Sequence, residues 1–126
     1  MKVLLSIKPE YVEKILNNEK KYEFRRKIFK KTIKYAYIYS TRPVKKVTGS
    51  FKIEGIIEDA PEILWEKYGE YSGITKIEFF KYFSNCKTGY AIKISNAKKL
   101  KGRKLPRRPP QSYYYIESAK LLYKNE

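Results

Sequence analysis

Residues 17–27 read NNEKKYEFRRK and mark the point at which a helical pattern gives way to an alternating one. Upstream of this segment, Pro9 is suited to the first position of a helix. The apolar residues that follow at the spacing of one helix face are Val12, Ile15 and Leu16. Asn17 and Asn18 predict the end of this helix, because asparagine tolerates the left-handed conformation that is common there.

Downstream of the predicted helix, the chain alternates in the manner of a β-strand. Tyr22 and Phe24 fall on one face, and Glu23 and Arg25 fall on the other. If the aromatic face points to the core, the carboxylate and the guanidinium lie together at a cleft or outer side, and Lys20 enters from the turn before them. The alternative is a solvated strand face with an ordinary ion pair, which contributes little to stability.

The composition bounds the architecture and the location of the protein. A chain of 126 residues predicts a single domain over residues 1–126 with one hydrophobic core. There is no signal-peptide pattern and no long apolar run, so we expect a soluble, cytoplasmic protein with no membrane partner. The one cysteine, Cys86, cannot form an internal disulfide and is expected to be a packed thiol.

The missing residue types exclude several classes of active site. The chain has no histidine, one cysteine and a single aspartate, Asp59. It therefore cannot build a histidine- or cysteine-based zinc site, a Ser-His-Asp triad or a Cys-His dyad. Because the glutamates are scattered, we expect no metal site and no cofactor. Any catalysis would use Lys, Glu, Tyr, Ser, Thr or Arg.

The net charge indicates a polyanionic partner. The sequence has 29 basic and 13 acidic residues, for a formal net charge of +16. Nucleic acid is the simplest such partner, with general solubility or an acidic protein surface as the alternatives. The basic residues cluster in segments 20–34, 42–52 and 98–108, which together could replace counterions along a phosphate backbone. Nearby tyrosines suit single-stranded or flipped bases.

The remaining patterns predict an α+β fold built on a curled sheet. The predicted strands are residues 1–7, 33–41, 46–57, 88–95 and 117–124, in addition to the strand that contains Glu23. The predicted helices are residues 62–68, with Gly69 ending it and Trp65 packing over one end of the sheet, and a helix from Thr75 to near Asn85 that turns Ile77, Phe80 and Phe83 inward. Gly49 and Gly55 predict bulges. Residues 98–110 are expected to form a loop and residues 111–116 a helical turn.

A family resemblance rests on the segment from Asn18 to Arg25. It reads N-x-K-x-x-E-x-R and resembles the G-x-K-x-x-E-x-R signature of the ASCH superfamily. The segments LLSIKPEY (4–11), YIYSTRP (37–43) and PPQS (109–112) also agree. Asn18 in place of glycine is a mild departure, since both residues can cap a helix in the left-handed conformation. The resemblance implies a small PUA-like β-barrel of about six strands, with helices covering its openings.

The resemblance also implies a cleft and a set of residues that line it. In ASCH domains the signature Lys, Glu and Arg meet in a cleft connected with RNA or modified nucleosides. Carried onto this chain, the implied nucleic-acid-binding residues are Lys8, Lys20, Glu23, Arg25, Tyr39, Ser40 and Arg42. The basic residues Arg26, Arg107 and Arg108 are added to this set because of their charge.

Three functions are consistent with these residues. The first is an RNA-binding module that acts in RNA metabolism, translation or its regulation. The second is a metal-independent hydrolase of RNA or modified nucleosides, with Lys20 and Glu23 as catalytic residues. Some ASCH members hydrolyse N4-acetylcytidine with a Lys and a Thr in the motif and a carboxylate from a later helix. Here Glu23 replaces the Thr, and Glu70 is the nearest candidate carboxylate. The third is a transcriptional co-regulator that binds an acidic partner. The oligomeric state stays open.

Overall fold

A computed structural model describes residues 1–117 of the chain. The strands are β1 (Lys2–Ile7), β2 (Tyr22–Arg25), β3 (Tyr35–Ser40), β4 (Lys46–Asp59), β5 (Gly89–Arg103) and β6 (Tyr113–Ile116). The helices are α1 (Pro9–Leu16), α2 (Pro61–Tyr68) and α3 (Lys76–Tyr82), with a short 3-10 helix (Gly69–Tyr71) after α2. None of the helices in residues 1–117 is long and apolar enough to cross a membrane.

The strands form one mixed sheet in the order β2-β5-β4-β3-β1-β6. Strands β1 and β3 are parallel, and the other neighbouring strands are antiparallel. The α+β class and the total of six strands within residues 1–117 agree with the prediction, although only five of the predicted strands are among them. The prediction of a closed barrel was wrong. Within the described residues, β2 and β6 are the two edges of the sheet and share no strand pairing.

The core consists of two principal layers on the sheet. The larger one packs α1 against the centre of the sheet, and its most buried members include Val3, Leu5, Ile15, Ile38, Phe51 and Ile92. The second is built around β2, α2 and α3, and its buried members are Phe24, Leu64, Phe79, Phe83 and Ala91. Because Phe24 belongs to this second cluster, β2 turns its neighbours Glu23 and Arg25 to the opposite side.

The long β4–β5 pair bends at the two predicted bulges. The pairing register of β4 with β5 shifts between Val47 and Gly49 and between Ile53 and Gly55, at the two predicted glycines, and also between Ser50 and Lys52. Each shift places one or two extra residues on one strand, which increases the local twist and curls the sheet. The loop predicted over residues 98–110 was wrong for residues 98–103, because β5 continues to Arg103 as the partner of the first half of β4. Residues 104–110 form a loop as predicted.

The end of the described chain also differs from the prediction. The helical turn expected over residues 111–116 was wrong, because Tyr113–Ile116 forms β6 and pairs antiparallel with β1. Both faces of β6 pack on the core: Tyr113 and Tyr115 contact the larger cluster, whereas Tyr114 and Ile116 belong to the cluster around Leu4. The three tyrosines are only partly buried, as suits an edge strand. The strand predicted over residues 117–124 lies outside the described residues except for Glu117.

Helix α3 begins as predicted but presents a different face. The Glu78 backbone N–H donates to Thr75 Oγ1 at 3.2 Å, so Thr75 caps the helix at the residue where it was predicted to begin. Ile77 is 83% exposed, however, so its inward orientation was wrong. Phe79 and Phe83, four residues apart, form the buried face and meet Phe24 and Trp65. Gly69 has a right-handed conformation, so α2 passes into the 3-10 helix rather than ending in a left-handed cap.

Candidate functional site

A cleft of about 620 Å³ opens between the end of β1, the start of α1, β2, α3 and the residues just before β6. Its floor carries three buried charged side chains. Lys20 is 3% exposed, and Glu23 and Arg25 are each 7% exposed. The alternative of a solvated strand face with an ordinary ion pair is therefore wrong.

The turn after α1 places Lys20 on this floor. Asn18 has a φ of 68°, in the left-handed region. The backbone N–H groups of Glu19 and Lys20 then both donate to the Lys14 carbonyl, at 2.9 and 3.0 Å. The chain is thereby reversed over the last turn of the helix, and the Lys20 side chain enters the protein rather than the solvent.

A loop that precedes α3 packs against Lys20. Lys20 Nζ donates to the Ser72 carbonyl at 2.5 Å, and Lys14 Nζ donates to the Gly73 carbonyl at 3.0 Å. Gly73 has a φ of 67°, and a Cβ atom there would lie 3.1 Å from Lys20 Cβ. Glycine thus meets both the backbone conformation and the close approach that this wall of the cleft requires.

Glu23 is shared between the two buried cations. Its Oε1 lies 3.4 Å from Lys20 Nζ, and its Oε2 lies 2.9 Å from Arg25 Nη2 and accepts from Arg25 Nε at 3.0 Å. Buried charges persist in proteins when they are paired and hydrogen-bonded in this way. Glu23 therefore fixes the separation of an ammonium and a guanidinium at the base of the cleft.

Arg25 joins parts of the fold that are distant in the sequence. Its Nη2 donates to the Ser6 carbonyl of β1 at 2.9 Å, and its Nη1 donates to Ser112 Oγ at 3.1 Å and to the Ser112 carbonyl at 3.3 Å. These bonds connect edge strand β2 with β1 and with the residue before β6. A side chain, rather than backbone pairing, thus bridges the two sides of the open sheet.

Burial changes the acid–base behaviour of Lys20. Desolvation lowers the pKa of this ammonium below its usual value, and the charges of Arg25 and Lys14 act in the same direction. The Glu23 carboxylate opposes the shift. Lys20 is therefore easier to deprotonate than an exposed lysine.

We expect Lys20 to make stability depend on pH. Because its pKa is lower in the folded protein, the unfolded chain binds more protons between that lowered pKa and the usual value of 10.5. The free energy of unfolding of the wild type, relative to Lys20→Met, should rise with pH across this interval and be constant below it. Urea denaturation at a series of pH values measures this difference, and a decrease with pH would contradict the assignment.

The opposite wall of the cleft carries a second polar pair. The Tyr11 hydroxyl donates to Glu78 Oε2 at 2.8 Å, and Lys20 Nζ lies 5.3 Å from the centre of the Tyr11 ring. Burial raises the pKa of Tyr11, and the hydrogen bond to the Glu78 carboxylate raises it further, so the phenol keeps its proton. The sequence did not predict this pair, because Tyr11 and Glu78 are 67 positions apart and neither has a local signal for the contact.

Five of the residues predicted to bind nucleic acid line the cleft. They are Lys8, Lys20, Glu23, Arg25 and Arg26. Lys8 and Arg26 are exposed at its rim, and the Arg26 guanidinium lies 4.8 Å from the centre of the Tyr82 ring. The structure adds Tyr11, Glu78, Lys81, Gln111 and Ser112 to the lining.

The other predicted site residues lie elsewhere. Tyr39 is buried with Leu4, Val47 and Ile116, and Leu105 packs against this cluster, which keeps the phenol ring out of the cleft. Ser40 is buried, and its Oγ lies 2.6 Å from Thr48 Oγ1. The last three predicted residues, Arg42, Arg107 and Arg108, are exposed and lie outside the cleft lining.

The nearest candidate for the later carboxylate does not lie in the cleft. Glu70 is exposed in the 3-10 helix after α2 and is not part of the cleft lining. Glu78, one helix later, lies in the lining instead. Residues 1–117 contain no group of three or more His, Cys, Asp or Glu side chains that could hold a metal ion.

Comparisons with known proteins identify the family. Residues 1–116 match the model of a domain of unknown function, DUF365. An "ASCH domain-containing ribonuclease" from Zymomonas mobilis is 30% identical over 131 residues, covering 94% of this chain and 88% of that protein.

Solved structures agree with the sequence relationship. The crystal structure of ASCH from Zymomonas mobilis superposes with a TM-score of 0.88 at 26% identity, covering 94% of this chain and 90% of that one. A tyrosine-to-phenylalanine mutant of that protein gives a TM-score of 0.87 at 26% identity, covering 92% and 90% of the two chains. These matches confirm the resemblance seen in the signature segment. The chain belongs to the DUF365 family and is an ASCH domain protein.

Proposed function

We propose that this protein binds single-stranded RNA in the Lys20–Glu23–Arg25 cleft and cleaves it without a metal ion. The observation that carries the proposal is the buried Lys20 ammonium on the floor of an open cleft. Because burial lowers its pKa, this ammonium gives up its proton more readily than an exposed lysine does, which suits it to proton transfer. A relative that shares nearly the full length of the chain is described as a ribonuclease, which supports RNA as the substrate.

The cleft contains groups for each part of such a reaction. The exposed cations Lys8, Arg26 and Lys81 line its walls, where they can hold a phosphate. Neutral Lys20 would accept the proton of a ribose 2′-hydroxyl, whose oxygen then attacks the adjacent phosphorus. The bond to the departing 5′ oxygen breaks, and Lys20 returns the proton to that oxygen. Protons balance, and the products are a 2′,3′-cyclic phosphate and a 5′-hydroxyl.

The test is turnover of single-stranded RNA in the presence of a chelator. We expect Lys20→Met to lower the cleavage rate by about 10²- to 10⁴-fold, which is the usual contribution of a general acid or base. Lys21→Met is the matched control, because Lys21 is the next residue in the chain and its side chain is exposed. Cleavage that persists in Lys20→Met, or that requires an added metal ion, would refute the proposal.

A second candidate is hydrolysis of an acylated nucleoside, and the position of Glu78 favours it. ASCH members that act on N4-acetylcytidine are expected to use a carboxylate from a later helix, and Glu78 of α3 lies in the cleft that contains Lys20. The measurement is the release of cytidine and acetate from N4-acetylcytidine by the wild type and by Glu78→Gln. Absence of product with the wild type removes this candidate and leaves RNA cleavage unaffected.

A further inference from the structure

The segment that runs from the second half of β5 to the cleft is strongly basic. Residues 95–116 contain seven basic residues and no acidic one. All seven are exposed: Lys98, Lys99, Lys101, Arg103, Lys104, Arg107 and Arg108. Within residues 1–117, Lys98, Lys99, Lys101 and Lys104 form no ion pair with a carboxylate. Their charge is therefore available to an external anion.

The loop over residues 104–112 is held in one conformation by contacts at several points. The Arg107 guanidinium lies 3.9 Å from the centre of the Tyr114 ring, and the Tyr114 hydroxyl donates to the Arg108 carbonyl at 3.1 Å. Ser6 Oγ donates to the Pro110 carbonyl at 2.6 Å. Leu105 packs on a buried cluster of the sheet. Such a loop loses little conformational freedom when it binds a ligand.

The same loop ends in the cleft. Gln111 and Ser112 are part of the lining, and the Ser112 carbonyl accepts from the Ser6 backbone N–H at 3.0 Å and from Arg25. The basic residues 98–108 are thus followed closely in the chain by residues that line the cleft. The exposed residues Lys45 and Lys46 add to this basic surface, because β4 begins beside the end of β5.

We propose that the basic arm, residues 98–108, binds the phosphate backbone of RNA that extends beyond the nucleotide in the cleft. This inference rests on the proposed function. It adds that the substrate is an RNA longer than the cleft alone can hold. In this proposal the arm contacts phosphates, because its exposed side chains are the cations of lysine and arginine. Binding by the arm is accordingly independent of base sequence and decreases with salt.

The experiment compares short and long RNA that cannot be cleaved. Oligonucleotides of about 4 and about 16 nucleotides bracket the site sizes of single-strand binding domains. A 2′-O-methyl backbone removes the attacking hydroxyl, so fluorescence anisotropy measures binding alone. The arm variant carries Lys104→Gln, Arg107→Gln and Arg108→Gln. The control variant loses the same charge at exposed positions on and near α2 and α3, through Lys67→Gln, Lys76→Gln and Lys87→Gln.

We expect the arm variant to bind the long RNA about 10-fold more weakly. The dependence of log K on log salt should also become shallower by about 2, because each phosphate that the protein neutralises contributes about 0.7 to that slope. Binding of the short RNA, and cleavage of a short unmodified RNA, should stay at the wild-type level. Equal losses in the arm and control variants, or equal losses for both RNA lengths, would overturn the inference. Polyglutamate bound as tightly as the long RNA would also overturn it, in favour of an acidic protein partner.

The first arm variant removes the Arg107–Tyr114 stacking and could therefore disturb the loop. A second variant controls for this effect because it leaves Arg107 in place. It carries Lys98→Gln, Lys99→Gln and Lys101→Gln on β5, where the lysines are exposed. The same selective loss for long RNA is expected, and a wild-type affinity here would limit binding to the loop and refute the arm as defined. Because Lys20→Met tests cleavage and the arm variants test binding, the two proposals fail independently.

Discussion

Replacement of Glu23 with alanine is expected to lower the free energy of unfolding by about 3–5 kcal/mol, the usual effect of removing one partner from a buried ion pair. The loss is large because Lys20 and Arg25 both remain buried and lose the carboxylate that they share. The two cations then repel each other in a poorly solvated environment. Urea denaturation at neutral pH measures the change.

The control for this prediction is Glu54→Ala. Glu54 pairs with Lys52 at 3.6 Å, but both side chains are more than a third exposed. Exposed pairs of this kind contribute little to stability, so Glu54→Ala should have a much smaller effect than Glu23→Ala. Similar losses for Glu23→Ala and Glu54→Ala would show that the charged cluster is not buried as the structure has it.

Replacement of Arg25 with alanine is also expected to cost about 3–5 kcal/mol, because it leaves the buried Glu23 with only the more distant Lys20. It also removes the hydrogen bonds to Ser6 and Ser112 that connect β2 with the far side of the sheet. Hydrogen exchange should therefore accelerate at the Ser6 amide, which donates to the Ser112 carbonyl. Native-state exchange followed by NMR measures this local opening.

The neighbouring residue supplies the control for Arg25. Arg26 is exposed and its guanidinium stacks on Tyr82, so Arg26→Ala should change stability by no more than about 1 kcal/mol. It should leave exchange at the Ser6 amide unchanged. An Arg25→Ala protein whose Ser6 amide keeps wild-type protection would contradict the bridging role.

Local sequence was sufficient for the parts of the site that lie close together in the chain. The spacing from Pro9 to Asn18 encodes a helix and its reversal, since proline and asparagine restrict the backbone where they occur. The alternation from Tyr22 to Arg25 encodes which side chains share a face. Lys20, Glu23 and Arg25 are brought together by these two short-range rules.

The rest of the site depends on contacts that no local pattern specifies. Lys20 meets a carbonyl 52 positions away, and Arg25 meets a serine 87 positions away. Likewise, the basic residues after Ser95 have the composition of a loop. The first half of β4 pairs with β3 on one edge only, however, and the backbone groups of its other edge pair with these residues in β5. Closure of the sheet into a barrel was inferred from the family resemblance. Whether the two edge strands meet depends on long-range strand pairing, which the local sequence does not specify.

The position of β1 has a consequence for how the chain is made. Its parallel partner β3 follows within about 30 residues, whereas its other partner, β6, begins only at Tyr113. At ribosomal rates of about 5–20 residues per second, roughly 5–20 s separate the synthesis of Ile7 from that of Tyr113. During this interval the backbone N–H and C=O groups along one edge of β1, an apolar strand, have no β-strand partner and can pair with other nascent chains. A ribosome that stalls before Tyr113 would thus release a polypeptide with an exposed, aggregation-prone margin.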